Sequence, residues 1–290
     1  MTVARLGLRD HDQAPVAVIR PTKSWAFLDL RELWAYRELI YFLTVRDIKV
    51  RYKQTAIGVA WAVVQPLAMM VVFTLFFGRL ARVPSDGLPY PLFAFAGLLP
   101  WQLFSRTITE STNSLITDQR LVTRVYFPRI IVPIASTLAA LVDFGISLAL
   151  FVGLLLVYGM SLGPTVLWAP AFVCLALVTA LGIGFWLSAL NVEFRDVAYA
   201  VPFLNQFWLF VTPVVYPSSL VPEAWRPLYG LNPMAGVVEG FRWALLGAGD
   251  GPSPMVAVSG LVAAALFLSG IVWFRVRERT FVDAIGSGGR

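Results

Sequence analysis

Apolar residues come in long blocks along this chain. Six of them, at 57–78, 91–115, 130–158, 166–190, 198–215 and 254–274, approach the roughly 20 residues a helix needs to cross a hydrocarbon core about 30 Å thick. The second block breaks its own pattern. Its apolar start continues directly into Ser105, Arg106, Thr107, Thr109, Glu110, Ser111, Thr112, Asn113 and Ser114. A membrane helix this polar must face protein or water, because ionisable groups are costly in hydrocarbon. Residues 100–129 therefore read as a pore-facing helix feeding a short basic elbow that carries Arg120, Arg124 and Arg129.

Two stretches fit neither a crossing nor an ordinary loop. Residues 29–56 mix charges with large apolar groups. At about 100° per residue, Leu30, Trp34, Tyr41, Val45, Ile48 and Tyr52 gather on one side, away from Arg31, Glu38, Lys49 and Lys53. This predicts an amphipathic helix lying in the membrane interface, its cations near anionic lipid; a cytosolic helix packed on a partner is the alternative. Residues 216–253 are too broken by Pro and Gly for one crossing, yet too apolar for a solvent loop. A re-entrant pair of half-helices fits there, since such backbone is tolerated where protein or water covers it. Asn232 as N-cap and Pro233 at the first helical position start the second half, which runs to about Leu246. In the first crossing, Gln65-Pro66 predicts a kink and a freed carbonyl.

The predicted architecture is an all-α integral membrane domain with six transmembrane helices over 57–274. Before it stand the interface helix (29–56) and a leader (1–28); within it lie the elbow (116–129) and the re-entrant segment (216–253); a tail (275–290) follows. Composition agrees. Of 290 residues 58% are hydrophobic and 14% charged, where a soluble domain carries about a quarter charged residues. The leader shows no apolar core followed by a cleavage site, so no signal peptide is read. Eighteen of the 23 Lys and Arg fall in the residues before the first block, the elbow, 191–197 and the tail, against four on the opposite loops. By the positive-inside rule both termini are cytoplasmic. The same asymmetry explains the net charge of +6 without nucleic acid as a partner.

Several chemistries are excluded. One histidine (His11, in the leader) and one cysteine (Cys174) cannot build a histidine metal cluster or a disulfide framework. No P-loop, G-x-S-x-G elbow or H-E-x-x-H pair occurs, so the chain is not read as an enzyme, binds no cofactor or metal of its own, and any ATP is hydrolysed by another polypeptide. Charged residues inside the blocks then become the candidate chemistry. Arg106 and Asp143 sit at similar depth on consecutive crossings and are expected to pair, while Glu110 lies one turn from Arg106. Glu239 and Arg242 are expected to form a second close pair on the re-entrant helix. Aromatics such as Phe93, Trp101, Phe207 and Trp208 suit sugar faces or lipid tails, and equally suit packing.

The stretches VRYKQTAIGVAWAVVQPL, LPWQLFSRTITESTNSLI, LVTRVYFPRIIVP, NVEFRDV and GLNPMAGVVEGFRWALL, in this order, resemble the membrane subunits of type-2 ABC exporters of polysaccharides such as O-antigen, teichoic acid and capsule. The likeness covers about residues 36 to 275. It implies a permease subunit exporting a lipid-linked polysaccharide, built from two copies of the chain and two copies of a separate ATPase subunit that binds ATP and magnesium. Carried onto this chain, Gln119, Arg120, Leu121, Arg124, Tyr126 and Arg129 would dock in the ATPase, with Glu193, Arg195 and Asp196 as a smaller contact. Gln65, Trp101, Ser105, Arg106, Thr109, Glu110, Asn113 and Asn205 would line the channel. An exporter of a small lipophilic compound is the nearest alternative. An ion-coupled secondary transporter using Glu110 and Asp143 is a further one, and the absence of a detectable internal repeat weighs against it.

Overall fold

A computed structural model describes residues 30–53, 60–247, 251 and 253–281. The expectations for the leader, for 54–59 and for the end of the tail lie outside the described residues. Among the described residues there is no strand. The helices are α1 (Leu30–Ala35), α2 (Arg37–Lys53), α3 (Ala60–Phe73), α4 (Tyr90–Thr117), α5 (Gln119–Arg124), α6 (Ile131–Val157), α7 (Ala169–Glu193), α8 (Val197–Val211), α9 (Arg226–Tyr229), α10 (Pro233–Leu246) and α11 (Pro254–Arg277). A π-helical segment, Thr74–Leu80, extends α3, and a 3₁₀ turn, Pro164–Trp168, leads into α7.

Among the described residues four helices are long and apolar enough to cross a membrane: Ala60–Leu80, Ile131–Val157, Pro164–Glu193 and Pro254–Arg277. The other two expected crossings differ for separate physical reasons. α4 has 28 residues, ample length, but its second half is too polar. α8 is apolar but has 15 residues, about three-quarters of the usual crossing length.

α4 is the hub, packing on α3, α6, α7, α8 and α10. Its apolar half, Leu92 to Trp101, is buried, and so are Thr107, Ser111, Thr112 and Ser114 of its polar half. That polar half is held by neighbouring helices. Ser111 and Thr137 of α6 share a hydrogen bond of 3.3 Å, and Asn191 of α7 donates to the Thr112 carbonyl at 2.9 Å. α7 and α11 touch through glycine: a Cβ on Gly270 would lie 2.3 Å from the Gly182 carbonyl oxygen, so only a hydrogen fits at this crossing.

The connections fall at two ends of the bundle. At one end Leu43, Leu115, Val122, Phe127, Val192, Phe274 and Phe281 form a small core that gathers α2, the elbow, the end of α7 and the end of α11. At the other, Tyr90 donates to the Val215 carbonyl at 2.7 Å and Ser219 to Asp86 at 2.9 Å.

α2 packs differently from the helical-wheel reading. Trp34 of α1 and Tyr41, at the start of the expected apolar stripe, are exposed and Leu43 is buried instead, whereas Val45, Ile48 and Tyr52 are half-buried and Lys49 and Lys53 exposed, as the wheel expects. The run LIYFL (39–43) is apolar all round, so the surface offered by α6 decides which side packs. α2 and α6 also run in the same direction. Thr44 donates to the Ala135 carbonyl at 3.3 Å, and eight residues further along each helix Tyr52 donates to Asp143. Within 216–253 the first half-helix is short: two 3₁₀ turns, Ser218–Leu220 and Glu223–Trp225, each opened by a proline, precede the four-residue α9. The second runs from Pro233 to Leu246 as its cap signals predict, with the Asn232 side chain accepting from Met234 N and Gly247 closing it at φ +65°.

Candidate functional site

Between α3, α4 and α6 lies a cavity of about 560 Å³, within the size range of small-molecule sites. Six of the eight predicted lining residues border it: Gln65, Trp101, Ser105, Arg106, Thr109 and Glu110. On α4 these recur every three or four residues, so one helix face supplies most of the polar wall. Asn113 and Asn205 are not among its lining residues. Asn205 donates from α8 to the Ser105 carbonyl and to Thr109, both at 3.2 Å, and Asn113 donates to the Thr109 carbonyl at 3.0 Å. Asn205 thus binds α8 to α4, and Asn113, whose donated bond stays within α4, accepts from Asn191 of α7 at 3.4 Å.

The structure brings Arg106 and Asp143 together, with Nε 3.1 Å from a carboxylate oxygen. Arg106 also approaches Glu110 at 3.8 Å. Two further groups join from α2. The Arg51 guanidinium lies 2.8 Å from Glu110 and also binds Asp143, and Asp143 accepts from the Tyr52 hydroxyl. Three helices thus contribute to one cluster of two arginines, two carboxylates and a phenol, of which Arg106, Glu110 and Asp143 line the cavity and Arg51 and Tyr52 stand behind them. Arg51 and Tyr52 were not foreseen, because a helix lying in the membrane plane could not reach Asp143. Trp61 and Gln102, which also line the cavity, were legible in principle: each stands three or four residues from a predicted lining residue.

Glu239 and Arg242 do not form the expected ion pair. Arg242 is 6% exposed and donates to the carbonyls of Pro213 and Val214 at 2.9 and 3.0 Å, while its guanidinium lies 3.7 Å from the centre of the Phe93 ring. The chain leaves α8 at Val211 and turns back there, so these carbonyls have no helical donor and draw the guanidinium to themselves. One oxygen of Glu239 is buried without a partner.

The elbow divides into an outward and an inward part. On α5 and just after it, Gln119, Arg120, Arg124 and Tyr126 are exposed, Leu121 is half-buried and Val122 is buried. Arg129 faces inward: its backbone N–H donates to the Glu278 carboxylate at 2.7 Å, and its guanidinium binds the Glu278 carbonyl. Glu193 pairs with Arg277 at 2.7 Å, and Arg195 and Asp196 are exposed beside it. α2 is tied to the elbow by Arg46, 2.6 Å from Asp118 and 2.8 Å from Asp47. The hydrogen bond that Arg46 donates to the Asp118 carboxylate holds its guanidinium above its ordinary pKa, against burial, which lowers it.

The sequence that builds this bundle decides the family. A profile described as "ABC-2 type transporter" matches residues 38–246. The chain belongs to the ABC-2 transporter membrane family. It is 32% identical over 266 residues to the O-antigen export system permease protein RfbA of Myxococcus xanthus, spanning 88% of this chain and 98% of that relative. A protein of the same description from Klebsiella pneumoniae is 29% identical over 206 residues, 71% of this chain and 79% of its own. The polysialic acid transport protein KpsM of Escherichia coli is 22% identical over 252 residues, 83% and 94% of the two chains. In this ABC-2 permease the matched region takes in the cavity, the ionic cluster and the elbow, and ends at the last residue of α10.

Proposed function

We propose that this permease is the transmembrane subunit of an ATP-driven exporter that carries a lipid-linked, O-antigen-like polysaccharide across the bacterial inner membrane. Two copies of the chain work with two copies of a separate ATPase subunit, which binds the ATP and magnesium. α4 and α8 complete a set of six crossings, α9 and α10 form the re-entrant segment, and both termini are cytoplasmic. The likeness to RfbA along nearly the whole chain supports the substrate class. The distribution of Lys and Arg supports the orientation.

The observation that carries the mechanism is the course of α4. Its middle supplies Trp101, Ser105, Arg106, Thr109 and Glu110 to the cavity, and its end passes through Asp118 into the exposed Arg120 and Arg124. A subunit gripping the elbow therefore acts on the same helix that shapes the polar space. Exposed guanidiniums suit docking, because their bidentate donors recognise carboxylates on a partner.

The test is co-expression with the cognate ATPase subunit, purification through a tag on the permease alone, and measurement of ATP hydrolysis. Arg120→Glu with Arg124→Glu should lower hydrolysis by the complex about tenfold or more, as expected when charged contacts of an interface are reversed. If no ATPase accompanies the permease, the ABC reading falls. Transport that persists without ATP and collapses with the proton gradient would put the ion-coupled reading in its place.

A further inference from the structure

The ionic cluster on the cavity wall is balanced. Among the described lining residues the charged side chains are Arg106, Glu110 and Asp143, and Arg51 reaches both carboxylates from α2. Two positive and two negative charges therefore face one another at 2.8 to 3.8 Å, apart from the shorter Arg51–Asp143 contact. Both guanidiniums are engaged by both carboxylates. A ligand anion entering the cavity finds no unpaired cation among the described lining residues.

Uncharged ligands meet different terms. Each carboxylate has about four lone-pair sites, so Glu110, 39% exposed, keeps acceptor capacity for a hydroxyl donor. The amides of Gln65 and Gln102 line the same space and make no hydrogen bond to a described residue, leaving donor and acceptor for a neutral polar ligand. Trp61, 57% exposed, adds an indole face at the cavity.

Resting on the exporter reading, we propose that this cavity selects an uncharged, hydroxyl-rich sugar unit and rejects carboxylated sugars, with Glu110 and Asp143 as the specificity-determining residues. Their carboxylates cancel the charges of Arg51 and Arg106, and Arg106 meets both through Nε, with its terminal nitrogens left at the cavity. A carboxylated sugar drawn to those nitrogens adds a third carboxylate to a wall whose charges are already balanced, and repulsion from Glu110 and Asp143 offsets the pair it gains. Specificity here comes from occupied cations as much as from offered acceptors.

The test uses the full chain with its ATPase in lipid nanodiscs and equilibrium dialysis against two labelled probes of equal length, maltotetraose and tetragalacturonate. Wild type should bind maltotetraose about tenfold or more tighter than tetragalacturonate at physiological salt. Glu110→Gln removes one counter-charge from both arginines at a part-exposed position. It should tighten tetragalacturonate binding and narrow or invert the ratio, and Gln65→Ala should weaken maltotetraose alone. Equal binding of the two probes by wild type, binding of neither, or an unchanged ratio in Glu110→Gln would overturn the proposal. ATP hydrolysis dependent on Arg120 and Arg124, measured on the same preparation, separates the two readings. If it persists while the selectivity fails, the exporter reading stands and only the neutral-sugar preference is lost.

Discussion

Arg106 and Arg242 both sit inside the helical body, and the protein accommodates them in opposite ways. Arg106 borders a cavity and shares two carboxylates with Arg51 across three helices. Arg242 is sealed in by α10, α8 and α4, where it meets two backbone carbonyls and the face of Phe93. The first arrangement balances charge beside an open space. The second uses a charge to satisfy backbone that a broken helix has left without donors. A guanidinium therefore has two kinds of partner inside a membrane protein, and the chain around it selects between them.

The sharpest way to separate these roles is to remove Arg242. Arg242→Ala leaves two buried carbonyls without a donor, at roughly 1–3 kcal/mol each. Thermal unfolding of the detergent-solubilised protein should show a loss of about 3 kcal/mol or more, with little rescue by Lys, whose ammonium lacks the flat guanidinium face that lies on Phe93. Asp143→Asn comes next. It removes the negative charge shared by Arg51, Arg106 and Tyr52 and turns one of its two acceptor oxygens into a donor, and should destabilise by about 2 kcal/mol. In a double-mutant cycle with Arg106→Met, the Asp143 and Arg106 changes should show a coupling of about 1 kcal/mol. Independent, additive losses would mean that the cluster is a coincidence of packing. The smallest effect belongs to Glu239→Gln. With no ion pair to Arg242 to break, it should change stability by less than about 1 kcal/mol; a loss as large as that of Arg242→Ala would restore the pair that the structure denies.

The same comparison shows which features were legible in the sequence. Arg106 and Asp143 could be matched because depth along a straight helix is simple arithmetic, 1.5 Å per residue counted from a recognisable end. α10 was legible because its signals are local: an Asn cap, a Pro at the first position and a Gly beyond the last turn. The partners of Arg242 were hidden because nothing in a linear pattern shows that α8 stops at Val211 and folds Pro213 and Val214 back against α4 and α10. Arg51 was hidden for a related reason. A helix-wheel reading sorts residues by face, and says nothing about whether the axis lies flat or climbs beside a neighbour as α2 climbs beside α6. The elbow was read as one basic surface, but Arg129 bonds to Glu278 at the end of α11, 149 positions away in sequence.

The unbroken run of α4 from Trp101 to Thr117 has a mechanical reading. Its helix bonding is continuous there, beyond the proline at position 100. The sixteen rises between these two residues make a rigid arm of about 24 Å, at 1.5 Å each. Tilting that arm by about 10° around the elbow sweeps the Trp101 end through about 4 Å, whereas Glu110, less than half as far out, moves under 2 Å. The far wall of the cavity thus has the long stroke, and within the ionic cluster the stroke is uneven: Arg106 moves about 3 Å, so tilting α4 re-sorts its pairing with Asp143 on α6 while the space beyond changes width.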